Sequence, residues 1–327
     1  MLSFLQPNKC IEKSKLPWVE KYRPNTFDEL FIDSILKQRL MMMNTTNFNS
    51  IIISGNPGIG KTTTALLLIK NLLKDPDSFL ELNASDNRGI NMILSLVNIF
   101  CKKKTNDNIK IILLDEADNI TTKAQQQLIN VIEIYKNVKF ILTCNNHTHI
   151  IESLQSRMIL IQFSKAKLND VTDYLKYILN KENITFDSDV LNDIAIVTKN
   201  DFRNSVNYIE AISKVYKHIS YNNFVNLFNV SYISDLKFIA YSLFDKNIII
   251  DDIIEHYLNL VDFSHPNNDI LINIIYLIEN SNDIYFDKNI DMKIEIINII
   301  YQYYFKIVDT IDSKSLIIDM LYKIKKL

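Results

Sequence analysis

Glycine is almost absent from this chain, and where it occurs it is concentrated. Of 327 residues only four are glycine, and three of them (Gly55, Gly58 and Gly60) fall within six positions. Glycine enters the left-handed backbone region freely and lets another group approach the chain closely, so an unusual backbone is reserved for this one stretch. In full it reads Gly55-Asn56-Pro57-Gly58-Ile59-Gly60-Lys61-Thr62 and fits G-x-x-x-x-G-K-[ST]. An apolar run of strand length, Ser50–Ser54, precedes it, and a run of helical character, Thr62–Leu73, follows. In that context the motif is a phosphate-binding loop: its N–H groups and the helix N-terminus face an anion. Lys61 then reaches the β- and γ-phosphates, the Thr62 hydroxyl binds Mg²⁺, and Thr63 completes the nucleotide-binding set. ATP with Mg²⁺ is the expected cofactor pair.

The surrounding pattern predicts what carries this loop. Short, continuous, β-branched or aromatic runs recur at Ser50–Ser54, Phe79–Leu82, Lys110–Leu114, Val138–Thr143 and Ile159–Phe163. Runs apolar throughout suit strands buried on both faces of a parallel sheet. Between them lie helical stretches, Thr62–Leu73, Ile90–Lys103 and Thr122–Tyr135. Alternation of this kind predicts an α/β sheet with helices on both sides. After about residue 165 the strand-like runs stop. Asn169–Lys181, Asp187–Val197 and Phe202–His218 read as three amphipathic helices, and the remainder is helical in period. The expected organisation is a nucleotide-binding core over 1–165, a three-helix domain over 166–230 and an all-helical domain over 231–327. Those last helices either make their own core or pack against other subunits.

Two further stretches complete the expected site. The run Ile111–Leu114 ends in Asp115-Glu116-Ala117-Asp118, an apolar strand delivering acids at its C-terminal edge. Asp115 would hold Mg²⁺ and Glu116 would polarise the attacking water, since phosphoryl transfer needs in-line positioning and charge stabilisation. Asn145 ends the next strand, placing an amide between those acids and the γ-phosphate. Gly89 falls in a second suspected site.

Composition narrows the setting. No apolar run reaches the roughly 18 residues a membrane helix needs, so no membrane partner is expected, and the first residues lack a signal-peptide pattern. The three cysteines (Cys10, Cys101, Cys144) show no C-x-x-C spacing, which argues against zinc and a disulfide framework. Net charge is −2, yet residues 1–165 carry 20 Lys/Arg against 15 Asp/Glu while the remainder is acidic. Such a distribution suits a first part that approaches phosphates.

Several motifs then occur in a fixed order: Pro17-Trp18-Val19-Glu20-Lys21-Tyr22-Arg23-Pro24, the phosphate loop, Glu81-Leu82-Asn83-Ala84-Ser85-Asp86, the Asp115–Asp118 acids, Ala124-Gln125-Gln126 and Ser156-Arg157. In order and spacing the chain resembles the small subunits of replication factor C, AAA+ proteins that load sliding clamps, over roughly residues 16–210. The resemblance implies an AAA+ core, a three-helix lid and a helical collar in a five-membered ring. It implies partners as well: the other ring subunits, a sliding clamp and primer–template DNA. It places Val19 and Arg23 beside adenine and ribose, makes Arg157 an arginine finger acting in trans on the neighbour's ATP, and makes Arg203 a sensor of the γ-phosphate in cis. Ile90–Phe100 would present Val97 and Phe100 to the clamp, or pack them in the core. A nuclear setting, or a viral replication compartment, follows from the role.

Departures from the family pattern are specific. Met158 stands where Ser-Arg-Cys is usual, Asn200 precedes Asp201 in place of glycine, and Leu94 replaces an arginine. The central helix reads Ala124-Gln125-Gln126-Gln127-Leu128-Ile129-Asn130 and lacks two arginines. Direct DNA contact by this subunit therefore rests on Arg88 and Lys102–Lys104 alone. A ring member that binds ATP without productive hydrolysis stays open as an alternative, as does, more distantly, another AAA+ machine.

Overall fold

The computed structural model describes residues 16–85, 90–228, 232–262, 266–280, 290–308 and 313–327. Cys10, Arg88 and Gly89 lie outside the described residues, as does the side chain of Leu94. The chain forms two compact units. One runs to Ala166 and takes in Asn200–Glu210; the other holds Lys167–Lys199 and Ala211–Leu327.

The first unit is built on five strands, β1 (Ile51–Ser54), β2 (Phe79–Asn83), β3 (Lys110–Asp115), β4 (Val138–Cys144) and β5 (Ile159–Gln162). All pair in parallel, in the order β2-β3-β4-β1-β5. Why the strands are apolar throughout follows from where alternate residues go. Ile52, Ile112, Leu114, Phe140 and Leu142 enter a core with Val97, Ala124 and Leu128. Ile51, Ile53, Ile111, Leu113 and Ile141 enter another with Ala65, Leu68 and Leu40. One sheet thus carries helices on each face, and a period of two along each strand divides it between two cores.

Before the sheet lie two helices, α1 (Trp18–Lys21) and α2 (Ser34–Met41); α3 (Lys61–Leu72), α4 (Ile90–Lys102), α5 (Thr122–Ile134) and α6 (Glu152–Gln155) follow β1, β2, β3 and β4. Because β1 sits between β4 and β5, the strand order turns back at β1. The loop leaving its C-terminal end opens into the crevice where open α/β sheets bind ligands.

Of the two readings of α4, core packing is the one found. Val97 and Phe100 are buried, at 0% and 8% exposure, in the core beneath the sheet; neither faces outward toward a clamp. Among the described apolar side chains of α4, Ile99 is the exposed one, at 67%. Amphipathic spacing alone marked an apolar stripe and could not say whether the stripe faced in or out.

In the second unit α7 (Leu168–Lys181), α8 (Ser188–Val197), α10 (Tyr221–Phe228) and α11 (Tyr232–Ser242) are joined by further helices at Ile250–Asp262, Asn267–Asn280, Ile290–Val308 and Ser313–Lys325. The helix α9 (Phe202–Val215) begins in the first unit. From residue 236 onward the C-terminal helices build a core of their own, with Leu243, Tyr257, Leu271, Ile300 and Leu321 at its centre. A short feature departs from the all-helical expectation: Thr185–Phe186 and His218–Ile219 pair as two-residue parallel strands, and α9 accordingly ends at Val215 rather than His218. No helix among the described residues is long and apolar enough to cross a membrane.

Candidate nucleotide site

The loop Gly55–Gly60 turns out of β1 with Gly58 at φ +72° and Gly60 at φ +91°, backbone that side-chain-bearing residues rarely adopt. Gly60 sits at the N-terminus of α3 in the left-handed conformation, so the helix's first N–H groups face the crevice. Lys61 folds back over the loop. Its Nζ donates to the carbonyls of Gly55 and Asn56, each at 2.8 Å, and to Asn145 Oδ1 at 2.8 Å. An ammonium held at the mouth of the loop, with an amide from the end of β4 beside it, is positioned for an incoming phosphate. Pro57 and Ile59 complete the loop, with Ile59 buried in the core below.

Asp115, at the end of β3, meets Thr62 across the crevice. The Thr62 hydroxyl donates to Asp115 at 2.9 Å, with the second carboxylate oxygen at 3.2 Å. One hydroxyl and one carboxylate are the oxygen donors Mg²⁺ takes from a protein when phosphates and waters supply the rest. The surroundings fit the ion too. A carboxylate oxygen of Asp118 is buried without a hydrogen-bond partner, while its other oxygen accepts the Asn145 N–H at 3.0 Å. No cluster of three His, Cys, Asp or Glu suited to an all-protein metal cage exists among the described residues.

Electrostatics points the same way. Burial pushes the Lys61 ammonium below its ordinary value, the nearby Cys144, Asp115 and Asp118 oppose the shift, and the charge of Arg203 adds to it. Arg203, on α9 and exposed, thus acts on the same small volume as Lys61. Positive charge gathered near a half-buried loop is the complement of a polyphosphate. Burial, with Asp115 nearby, also raises the Glu81 carboxyl.

On the other side of the loop, Arg23 Nε donates to Thr63 Oγ1 at 3.2 Å and pairs with Glu20 at 3.3 Å. This ties the segment carrying half-buried Val19 to the start of α3. The backbone N–H of Trp18 donates to Glu210 at 2.9 Å, anchoring α1 against α9.

Glu116 follows Asp115 in a left-handed conformation, φ 57° and ψ 42°. Its N–H donates to Thr143 Oγ1 at 3.2 Å, and Asn119 Nδ2 approaches its carboxylate at 3.5 Å.

Arg157 does not join this group. It lies two residues before β5, whose first N–H, that of Ile159, bonds the carbonyl of Ser50 at 2.9 Å. Ser50 precedes β1 and the loop follows it, so the four residues of β1, about 13 Å of strand, separate the two edges. Arg157 Nε and Nη2 donate to Glu133 Oε1 at 3.0 and 2.7 Å, and Nη1 to the Ser153 carbonyl at 2.7 Å. Its side chain is 38% exposed.

Three further residues shape the site. Thr143 bridges Asp115 and Glu116. Asp118 receives Asn145. Asp201 packs against Gly58 so closely that a Cβ there would lie 1.8 Å from its Oδ1. Asp118 stands in the Asp115–Asp118 motif and Asp201 begins a helix, while nothing in the sequence marks the role of Thr143.

A parallel sheet with a phosphate loop at its order reversal and paired acids at the end of β3 is the core of an AAA ATPase. The family model described as ATPase family associated with various cellular activities (AAA) matches residues 51–165, which span all five strands, and the chain is an ATPase. Within that class the chain belongs to the replication factor C small subunit family. A protein of Acanthamoeba polyphaga mimivirus, provisionally named replication factor C small subunit R395, is 31% identical over 318 residues, which cover 96% of this chain and 98% of that protein. The replication factor C small subunit of Saccharolobus solfataricus is 42% identical over 202 residues, 60% of this chain and 61% of that one. Its Sulfurisphaera tokodaii counterpart is 39% identical over 214 residues, 64% and 65% of the two chains. The match thus spans under two thirds of these archaeal relatives. Among solved structures, the Thermotoga maritima RuvB Holliday junction branch migration motor superposes with a TM-score of 0.54 over 71% of this chain and 84% of that one. At 14% identity this likeness is one of fold.

Proposed function

We propose that this chain is an ATP-switched subunit of a clamp-loader ring, which opens a sliding clamp and places it on primer–template DNA. The supporting family names are those of subunits, and the observation that carries the reading is the position of Arg157. An exposed arginine on the sheet edge opposite its own phosphate loop is suited to a neighbour's nucleotide, and sites completed in trans tie hydrolysis to assembly. The proposed organisation is a core over 1–165, a lid over 166–230 and a collar over 231–327, in a ring of five.

The proposed roles are as follows. The amides of Gly58–Thr62 and the Lys61 ammonium bind the phosphates; Thr62 and Asp115 hold Mg²⁺. Val19 and Arg23 border the base and sugar. Glu116 orients the attacking water, and Asn145 with Arg203 registers the terminal phosphate in cis. Bound Mg²⁺ supplies charge neutralisation at the phosphates. DNA is gripped by the assembly through phosphates without sequence readout, and loss of the terminal phosphate removes the contacts that favour the clamp-holding state.

The second reading, a ring member that binds ATP without using it, is favoured by α5, where half-buried Ile129 and exposed Asn130 stand in place of the two arginines of the family pattern. A clamp labelled across one subunit interface, so that opening changes energy transfer, separates the two. Assembled rings carrying Glu116→Gln in this chain alone should still open the clamp but fail to release it on primed DNA. Normal release from such rings would assign this chain to the second reading.

A further inference from the structure

Thr143 lies one residue before the buried Cys144 and two before Asn145, at the end of β4, and is 1% exposed. A buried hydroxyl has one proton to give and lone pairs to receive, and here both capacities face the neighbouring strand. The proton goes to Asp115 Oδ1, the oxygen that also accepts from Thr62 at 2.9 Å. A lone pair receives the N–H of Glu116 at 3.2 Å.

Glu116 is held at φ 57°, where a residue other than glycine is strained and persists only when its surroundings over-determine it. Two tethers do so: the Thr143 hydroxyl on its N–H, and the turn in which the Asn119 N–H bonds the Glu116 carbonyl at 3.0 Å. From these contacts we infer that Thr143 is a positioning residue for hydrolysis. A single hydroxyl sets the carboxylate of Asp115 toward Thr62 and fixes the backbone turn that aims Glu116.

The two jobs are coupled. With Mg²⁺ held by Thr62 and Asp115, the Thr143 hydroxyl would still donate to the Asp115 carboxylate and restrain its rotation. Through the same oxygen, any movement of Asp115 is felt at the backbone of Glu116. Metal occupancy and water orientation therefore share one hinge atom. Threonine and serine can do this; valine, of the same shape, cannot.

This inference rests on the roles given above to Asp115 and Glu116, and the experiment keeps the two apart. The full chain is prepared as Thr143→Val, Thr143→Ser, Thr143→Ala and Glu116→Gln. A fluorescent ATP analogue is titrated in EDTA and again across a Mg²⁺ series, and single-turnover hydrolysis is followed with protein in excess. Outer-shell partners of a metal site change metal affinity or activity by about 10–100-fold. Thr143→Val should bind the analogue in EDTA within about twofold of the native chain while losing about tenfold or more in both Mg²⁺ affinity and hydrolysis. Thr143→Ser should restore both. Native-like Mg²⁺ affinity and hydrolysis in Thr143→Val would overturn the inference, as would a serine variant no better than valine. Should valine prevent folding, Thr143→Ala, which only removes atoms, is held to the same expectation. If Glu116→Gln hydrolyses normally, the fault lies in the role assigned to Glu116; if it is inactive while Thr143→Val is not, only the inference about Thr143 fails.

Discussion

Substituting Gly58 should destabilise the nucleotide-free chain more than substituting Gly60, although both are glycines of one loop with positive φ. At Gly60 (φ +91°) nothing lies within 4 Å of an added Cβ. Gly60→Ala therefore meets backbone strain alone, about 1–2 kcal/mol. At Gly58 (φ +72°) the same strain is joined by a collision, with Asp201 Oδ1 at 1.8 Å and Cγ at 2.1 Å. Asp201 cannot withdraw freely. Its carboxylate accepts the Asn204 N–H at 3.0 Å and the Asn204 side-chain amide at 3.0 Å, capping the first turn of α9. Losing such a cap costs about 1 kcal/mol, so Gly58→Ala should total about 2–3 kcal/mol. At about 2–4 °C per kcal/mol for a unit of this size, Tm falls by roughly 4–12 °C, against roughly 2–8 °C for Gly60→Ala.

Thermal unfolding without nucleotide is the assay, since bound phosphates would penalise both variants. Asp201→Ala supplies the control. In that background the collision is gone, and Gly58→Ala should cost no more than Gly60→Ala, a coupling of about 1 kcal/mol between contacting residues. Equal losses for the two glycines, or strict additivity of Gly58→Ala with Asp201→Ala, would refute the reasoning.

Other consequences are as direct. Lys61→Ala removes a charged donor and should weaken ATP binding at least tenfold, at about 1.5–3 kcal/mol per charge-assisted hydrogen bond, as read by analogue titration. Val97→Ala should cost about 1.5–2 kcal/mol from two lost methyl contacts at about 0.8 kcal/mol per group, whereas Ile99→Ser should stay within about 0.5 kcal/mol; chemical denaturation distinguishes them. In the second unit Tyr303 Oη donates to Asp319 at 2.5 Å, and that bond pushes the phenol up to about 12. The folded state then holds the proton where the unfolded phenol, near 10, has lost it, so this contribution is complete below about pH 10 and lost as pH rises through about 12. Tyr303→Phe should flatten the decline in stability across that window.

What the sequence made legible was local. The phosphate loop, the Asp115–Glu116 pair and the five apolar runs are each written within a few consecutive residues, and the strands begin and end within a residue or two of where the runs do. What it hid was tertiary. Thr143 and Asp115 lie 28 positions apart, and only the pairing of adjacent strands brings them together. Asp201 and Gly58 are farther apart still, and nothing in either motif announces that one fills the space the other lacks. Val97 shows a different limit: helical spacing identified the apolar stripe of α4, but a stripe facing the sheet and one facing a partner look the same in one dimension. The core made by the C-terminal helices was equally ambiguous, because Ile- and Leu-rich helices satisfy a bundle and an interface alike.

The central claim, that Arg157 acts on a neighbour's nucleotide, is tested most directly by steady-state ATPase in rings assembled from this chain and its sister subunits, with clamp and primed DNA. Native rings are compared with rings carrying Arg157→Ala in this chain. The account predicts that sisters, clamp and DNA together raise turnover, and that Arg157→Ala removes the rise assigned to the adjacent site while nucleotide binding to this chain alone is unchanged. Full stimulation in the Arg157→Ala rings, or loss of ATP binding by the isolated variant, would contradict it.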